Sequence, residues 1–336
     1  MTLILALESS CDETACAIIK DGKEILSNIV SSQINVHTQY GGVVPEVASR
    51  IHVENISTVI DEALKKANLT MDDIDAIAYT QGPGLIGSLH VGVQAAKTIA
   101  WTFHKPLIPI NHMTGHIWAN NFVADMKFPL LALVISGGHS QLVYMENDWD
   151  YKVIGTTQDD AIGEAYDKVS RVLGTGYPGG PVIDRMAKEG KEHYKLPSPK
   201  TDGIYDFSFS GLKTAVLQLI QREEKAGNEI IKEDVAYAFQ ETALEQLTGK
   251  TLQAVEDLKP KMLVLAGGVA ANSRLRQLIT EKMQAYPDVQ LVIPPMYCCT
   301  DNAAMIGAVG YVAYQHGLFG DLSAAADPGL MMPGEE

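Results

Sequence analysis

The chain has 336 residues, 46% hydrophobic and 20% charged, a globular composition with room for one large or two ordinary domains that excludes a fibrous or disordered chain. Its 26 basic against 41 acidic residues leave a formal net charge of −15, so an unaided hold on a nucleic-acid polyanion is disfavoured. The longest apolar run, Ala303 to Tyr314, falls short of the roughly twenty residues of a membrane helix; no basic residue precedes the short apolar run of MTLILALESS, and four cysteines are too few for a disulfide framework, so a cytoplasmic chain with reduced thiols is expected.

In chain order, LILALESSCDETACAIIKDGKEILSNIVSS reads as three strands joined by small and polar turns, a meander, with a helix after it. Asp12 and Glu13 crowd its first turn, either as a solvated corner or as groups able to hold a ribose or a substrate amine. Next, MDDIDAIAYTQGPGLIGSLHVGVQAAKTIA is a buried strand, a Gly-rich turn and a helix. Its Gly82-x-Gly84-x-x-Gly87 has the spacing of a dinucleotide fingerprint. No acidic residue lies between Asp75 and Asp125 to meet a ribose, and Pro83 removes a backbone donor, so nicotinamide binding is rejected and the glycines are read as a tight turn. In KPLIPINHMTGHIWANN a short strand runs directly into a helix that carries His112 and His116 on one face, a spacing used by metal-binding helices. Met113 stands where a metalloprotease of the HExxH type has its general base, so that chemistry is absent.

The same grammar recurs about 120 residues later. LALVISGGHSQLVYMENDWDYKVIGTTQD is a second meander, LKPKMLVLAGGVAANSRLRQLITEKM a second strand, Gly-rich turn and helix, and VQLVIPPMYCCTDNAAMIGAVGYVAY a second strand–helix pair. The order βββαβαβα therefore occurs twice, and the expectation is two pseudo-symmetric α/β lobes sharing a ligand crevice. The first lobe is placed at 1–126 and carries the His pair. The second is placed at 127–320, with a helical insertion at about 176–257 and a last helix able to pack back on the first lobe. Residues 321–336 are a tail, read as frayed. ESSCDET, SGGHS and AGGVAAN are the turns where backbone N–H groups can meet phosphate.

Within the second half, Asp167 and Asp184 bracket GTGYPGGP, and Asn272 opens a helix after Gly267 and Gly268, as an N-cap or as a nucleotide contact. Gly249-Lys250-Thr251 is no phosphate loop, because Leu244 occupies the required glycine position. By internal symmetry Asp301 stands at the helix start equivalent to the His pair. His112, His116 and Asp301 then form a two-His, one-carboxylate set with open positions, suited to ferrous iron and tolerable for zinc, with Cys298 and Cys299 near enough for a softer metal. The alternative for Asp301 is a helix-end charge. Lys188, Lys191, His193, Lys195 and Lys200 make one basic patch, read as a solvated loop or as an RNA contact.

The duplicated order resembles the ribonuclease H-like lobes of the actin, sugar kinase and chaperone ATPase (ASKHA) superfamily. Within it, LALESSCDET, GGVVPEVASRIH, GPGLIGSL, NHMTGH, SGGHS, GEAYDK, YPGGP, DFSFSGLKTA and GGVAANSRLR resemble, from end to end, the TsaD family of tRNA adenosine threonylcarbamoyltransferases, also known as YgjD or Gcp. The resemblance implies transfer of a threonylcarbamoyl group from its adenylate to the N6 amine of the adenosine 3′ to the anticodon. It implies metal ligands at His112, His116 and Asp301 with iron as the ion. It also implies a substrate loop at Ile135, Ser136, Gly137, Gly138 and His139, adenylate contacts at Asp167, Gly180, Asp184 and Asn272, and an acidic residue needed for activity at Glu13, with Asp12 beside it. TsaB-like and TsaE-like proteins are the implied partners in handling tRNA. An ATPase or small-molecule kinase of the same superfamily is the alternative that the Gly-rich loops and Asp12 leave open.

Overall fold

The computed structural model describes residues 1–335, which pack as two compact units. The first comprises Met1–Met126, Asp148–Asp150 and the chain from Pro294 onward; the second comprises Lys127–Asn147 and Tyr151–Ile293.

In the first unit, strands β1 (Leu3–Glu8), β2 (Glu13–Lys20), β3 (Glu24–Ser32), β4 (Ala76–Gly82) and β5 (Leu107–Asn111) form one sheet in the order β3-β2-β1-β4-β5. The meander strands pair antiparallel, whereas β4 and β5 join in parallel. Asp21 and Gly22, both at positive φ, make the tight turn between β2 and β3 that an Asp-Gly pair favours. Because side chains alternate across a strand, an all-apolar β1 has to be covered on both faces. Leu3, Leu5 and Leu7 join Val59, Ala63, Val93 and Ala96 of helices α2 (Pro45–Ala67) and α3 (Ile86–Phe103) in one buried cluster. Ile4 and Ala6 meet the opposite cover, helix α10 (Ala303–Gln315), where a Cβ at Gly310 would lie 2.7 Å from Ala78 and 3.4 Å from Ile4. Two short helices, α1 (Ile34–His37) and α4 (His112–Trp118), complete the unit.

The second unit repeats the plan. Strands β6 (Leu130–Ile135), β7 (Ser140–Met145), β8 (Tyr151–Thr156), β9 (Met262–Ala266) and β10 (Gln290–Val292) lie in the order β10-β9-β6-β7-β8, again with an antiparallel meander and two parallel partners. Helices α5 (Ile162–Leu173) and α9 (Ser273–Met283) occupy the positions that follow the meander and the first parallel strand. The insertion supplies α6 (Gly179–Ala187), α7 (Ser210–Lys225) and α8 (Lys232–Leu258), so the periodic stretch from Val216 to Leu258 is two helices separated near Gly227, a residue at φ +77°.

By packing, the second unit ends at Ile293 where the sequence reading ran to 320, and the last helix, α10, which that reading allowed to pack back on the first lobe, lies on the first sheet. Residues 325–332 are held in place rather than frayed: Asp327 N donates to Gln81 O at 2.9 Å, Gln81 Nε2 donates to Ala325 O at 3.0 Å, and Met332 is buried. A Gly/Pro-rich terminus has little periodicity to hold it, but Gln81 at the end of β4, through backbone and side chain, and the Asn111 side chain at the end of β5 pair with it.

Candidate metal centre and substrate loop

Asn111, the last residue of β5, caps α4 by accepting from Met113 N at 2.9 Å, which starts the helix at His112. One turn later comes His116, and the two rings meet edge to face with centroids 4.7 Å apart. Their Nε2 atoms are separated by 3.1 Å. Asp301 reaches both, its Oδ1 standing 3.5 Å from His112 Nε2 and 3.2 Å from His116 Nε2. The helix-end role considered for Asp301 belongs instead to Asn302, whose Oδ1 accepts from Met305 N.

All three ligand atoms lie within 4.8 Å of one another, and the group can hold a metal ion. Neither Cys298 nor Cys299 joins it among the described residues. Burial pushes the Cys298 thiol up to about 11, so at neutral pH it stays protonated and a poor ligand.

A residue that sequence reasoning passed over completes the set. Glu8, wholly buried at the end of β1, accepts at Oε2 from His112 Nδ1 (3.0 Å) and Thr80 Oγ1 (2.5 Å) and at Oε1 from Ser10 N (2.5 Å). A proton held on Nδ1 leaves the lone pair of Nε2 aimed at Asp301, the tautomer a metal needs. Burial alone would raise the carboxyl of Glu8 and lower the imidazolium of His112. The attraction of His112 for each carboxylate wins, over burial and over the repulsion between Glu8 and Asp301, holding both carboxyls below their ordinary range and raising His112 well above its own. The pocket therefore favours positive charge, as a proton or as an ion that displaces it, and its donor set fits a divalent metal. No local signal in the sequence marks Glu8 for this role, since its partners come from distant positions.

Glu13 opens β2 in the same unit and accepts from Ser32 Oγ at 3.0 Å. Burial first, then the negative charges of Asp301 and Asp12, push it up to about 9, so near neutrality it carries a proton. Asp12 sits beside it in the turn, its backbone carbonyl accepting from Gln33 N at 3.0 Å. His52 in GGVVPEVASRIH steadies this hairpin through Thr14 Oγ1 (2.7 Å) and Cys11 O (3.0 Å). Of the GPGLIG glycines, Gly84 serves the same hairpin by close approach: a Cβ there would lie 2.5 Å from Ser10 O, and Leu85 N donates to that oxygen.

In the second unit, the loop after β6 closes on itself as Ser136 N donates to His139 O (2.8 Å) and His139 N to Ser136 Oγ (3.1 Å). Gly137 and Gly138 at its tip are exposed, while Ile135 is buried in the strand behind them. Gly163 backs the loop, since a Cβ there would lie 2.6 Å from Ser136 O. Gly267, at φ +88°, backs it too, for a Cβ would overlap Ile135 O.

Asp167 accepts from Gly179 N at 2.6 Å and so fixes the start of α6, next to the open backbone of Gly180; burial raises its carboxyl. Asp184 accepts from Ser273 Oγ at 2.8 and 3.0 Å. Asn272 caps α9 through Leu275 N, and its amide donates to Gln240 Oε1 (2.9 Å) and Tyr166 Oη (3.3 Å). Its side chain is thus used within the unit, as an N-cap and in a buried network with Gln240 and Tyr166, residues that the sequence did not single out.

A family model described as TsaD, tRNA N6-adenosine threonylcarbamoyltransferase, matches residues 24–308. A Lactiplantibacillus plantarum protein of that name is 53% identical over 337 residues, spanning 99% of this chain and 97% of its own. The chain belongs to the TsaD family. A second TsaD relative, from Geobacillus thermodenitrificans and bearing the same name, is 53% identical over 97% of this chain and 96% of its own. Among solved structures, HypF of T. kodakarensis aligns with a TM-score of 0.65 at 14% identity, over 94% of this chain and 48% of that one. Component A of the Acidaminococcus fermentans (R)-2-hydroxyglutaryl-CoA dehydratase aligns at 0.55 and 15%, over 94% and 100%. At such identities these two show a shared fold, the duplicated α/β unit, and no more.

Proposed function

We propose that this chain transfers the threonylcarbamoyl group from threonylcarbamoyl adenylate to the N6 amine of the adenosine 3′ to the anticodon, in the formation of tRNA threonylcarbamoyladenosine. The observation that carries the reading is end-to-end identity of 53% to relatives named for that transfer. The ATPase or small-molecule kinase alternative, which rested on the Gly-rich loops and Asp12, is set aside in favour of the activity for which the end-to-end relatives are named.

His112 Nε2, His116 Nε2 and Asp301 would hold the ion. Two neutral imidazoles and one carboxylate leave it net positive with open positions, which suits ferrous iron, our assignment, and also zinc. When bound, it supplies Lewis-acid polarisation of an acyl or phosphate oxygen. The chain's own residues do the rest. Glu8 keeps His112 in the ligating tautomer. Gly137 and Gly138 offer backbone that phosphate oxygens can approach without a Cβ in the way, with Ile135, Ser136 and His139 shaping that loop. Asp167, Gly180, Asp184 and Asn272 hold the surrounding helix starts in register for the adenylate. Glu13 carries a proton near neutrality, which suits hydrogen-bond donation to the substrate; Asp12, beside it, is our candidate to orient the amine.

A net charge of −15 supports a division of labour in which TsaB-like and TsaE-like partners assist in gathering tRNA. A tRNA substrate supports our reading of a cytoplasmic enzyme. Among the described residues no helix is long and apolar enough to cross a membrane. The test is a mixture of this chain, the partner proteins, threonylcarbamoyl adenylate and unmodified tRNA, with the nucleosides read by mass. A complete mixture that forms no modified adenosine overturns the reading, and ADP release driven by a small molecule without tRNA would restore the kinase alternative.

A further inference from the structure

The chain's last residues return to the strand ends from which the metal-binding helix departs. Asp327 N donates to Gln81 O (2.9 Å), Gln81 Nε2 to Ala325 O (3.0 Å) and Gly84 N to Pro328 O (3.3 Å), so residues 325–328 lie along the end of β4 and the turn after it. Gly82 exists to admit this segment, because a Cβ there would overlap Asp327 O and stand 2.9 Å from Leu330 Cβ. The following residues reach Asn111, whose Nδ2 donates to Leu330 O (3.3 Å) and Met331 O (3.1 Å), and Met332, only 3% exposed, anchors the end. The same Asn111 side chain caps α4 through Oδ1, and its backbone carbonyl accepts from Thr114 Oγ1 at 2.7 Å. One amide thus reads the tail with its nitrogen and sets the start of the His112–His116 helix with its oxygen.

We propose that residues 325–332 form a strap that positions the metal-ligating helix, with Asn111 as the positioning residue between them. The proposal rests on the reading of His112, His116 and Asp301 as a metal site and adds a determinant that lies more than 200 positions away in sequence. An amide suits both tasks because Oδ1 accepts at the helix while the two N–H groups of Nδ2 donate to Leu330 O and Met331 O. Serine caps a helix well, but its single O–H on a shorter side chain cannot serve two carbonyls. A strap that only closed the core would change stability and leave the metal constant alone.

The experiment is zinc titration against a chromophoric chelator, well below the melting temperature, on four proteins: the full chain, Asn111→Ser, a chain ending at Ala324, and the two changes combined. Both single changes should weaken zinc binding about tenfold or more, as loss of an outer support of a ligand does. The combined protein should bind no more weakly than the shortened chain, since both changes cut one linkage. Asn111→Ser binding zinc as tightly as the full chain overturns the strap, whether or not the shortened chain folds. Failure of the unaltered chain to take up zinc or ferrous iron would instead overturn the metal reading beneath it.

Discussion

Glu8 Oε2 lies 3.0 Å from His112 Nδ1, and this contact decides which nitrogen of the ring faces Asp301. Glu8→Gln keeps the shape and part of the bonding to Ser10 and Thr80 but removes the charge that favours Nδ1–H. Metal affinity should fall 10–100-fold with the fold retained. Equal metal titrations for variant and parent would sink the tautomer argument. Because Glu8 and Asp301 raise His112 well above an ordinary histidine, metal must displace a proton there, so affinity should climb with pH and metal uptake should release protons measurable in weak buffer.

Asp301→Asn separates ligand from helix-end charge. As a ligand, Asp301 should cost most of the bound metal and at least ~10²-fold in transfer rate when replaced, the scale of losing one main electrostatic stabiliser. As a charge near an existing Asn302 cap it would be worth only about 0.3–1 kcal/mol of stability. Metal content, melting temperature and rate measured on one preparation distinguish the two; full metal and full activity would restore the structural role.

Glu13 gives the metal-stripped protein a pH signature. Its carboxyl is raised from 4.5 to about 9, so the folded state holds a proton that the unfolded chain has already lost. The sign follows: its contribution to stability is full below pH 4.5 and is lost as pH rises through about 9. Glu13→Gln should flatten the fall in denaturation midpoint between those values. Should the slope be the same in variant and parent, the raised carboxyl is not its source.

Gly267→Ala tests the substrate loop. At φ +88° with Ile135 O in the way, an alanine is strained by about 1–3 kcal/mol and must also push back the strand end that carries Ser136–His139. We expect lower stability together with weaker binding of AMP or the adenylate. An unfolding curve and AMP affinity both equal to the parent's would show that the turn yields freely and does not support the loop.

The duplicated meander and its βα units are legible because they are written in local pattern: short apolar runs in β1 and β6, small turns such as Asp21-Gly22, and helix spacing that puts His112 and His116 on one face. Internal symmetry carried this as far as Asp301, since two copies of one order align equivalent helix starts. Nothing local marks Glu8 as a support for His112, because its partners come from the hairpin, β4 and α4 and a buried carboxylate acquires meaning only from them. Gly82 was read as a turn residue when its neighbour is a carbonyl 245 positions further on. The tail, poor in periodicity and rich in glycine and proline, was read as free, yet its backbone groups are taken up by Gln81, Gly84 and Asn111. Local pattern is set by propensity along a few residues. The partners of buried charges, glycines and chain ends are set by where the backbone closes on itself, and that only the tertiary structure decided.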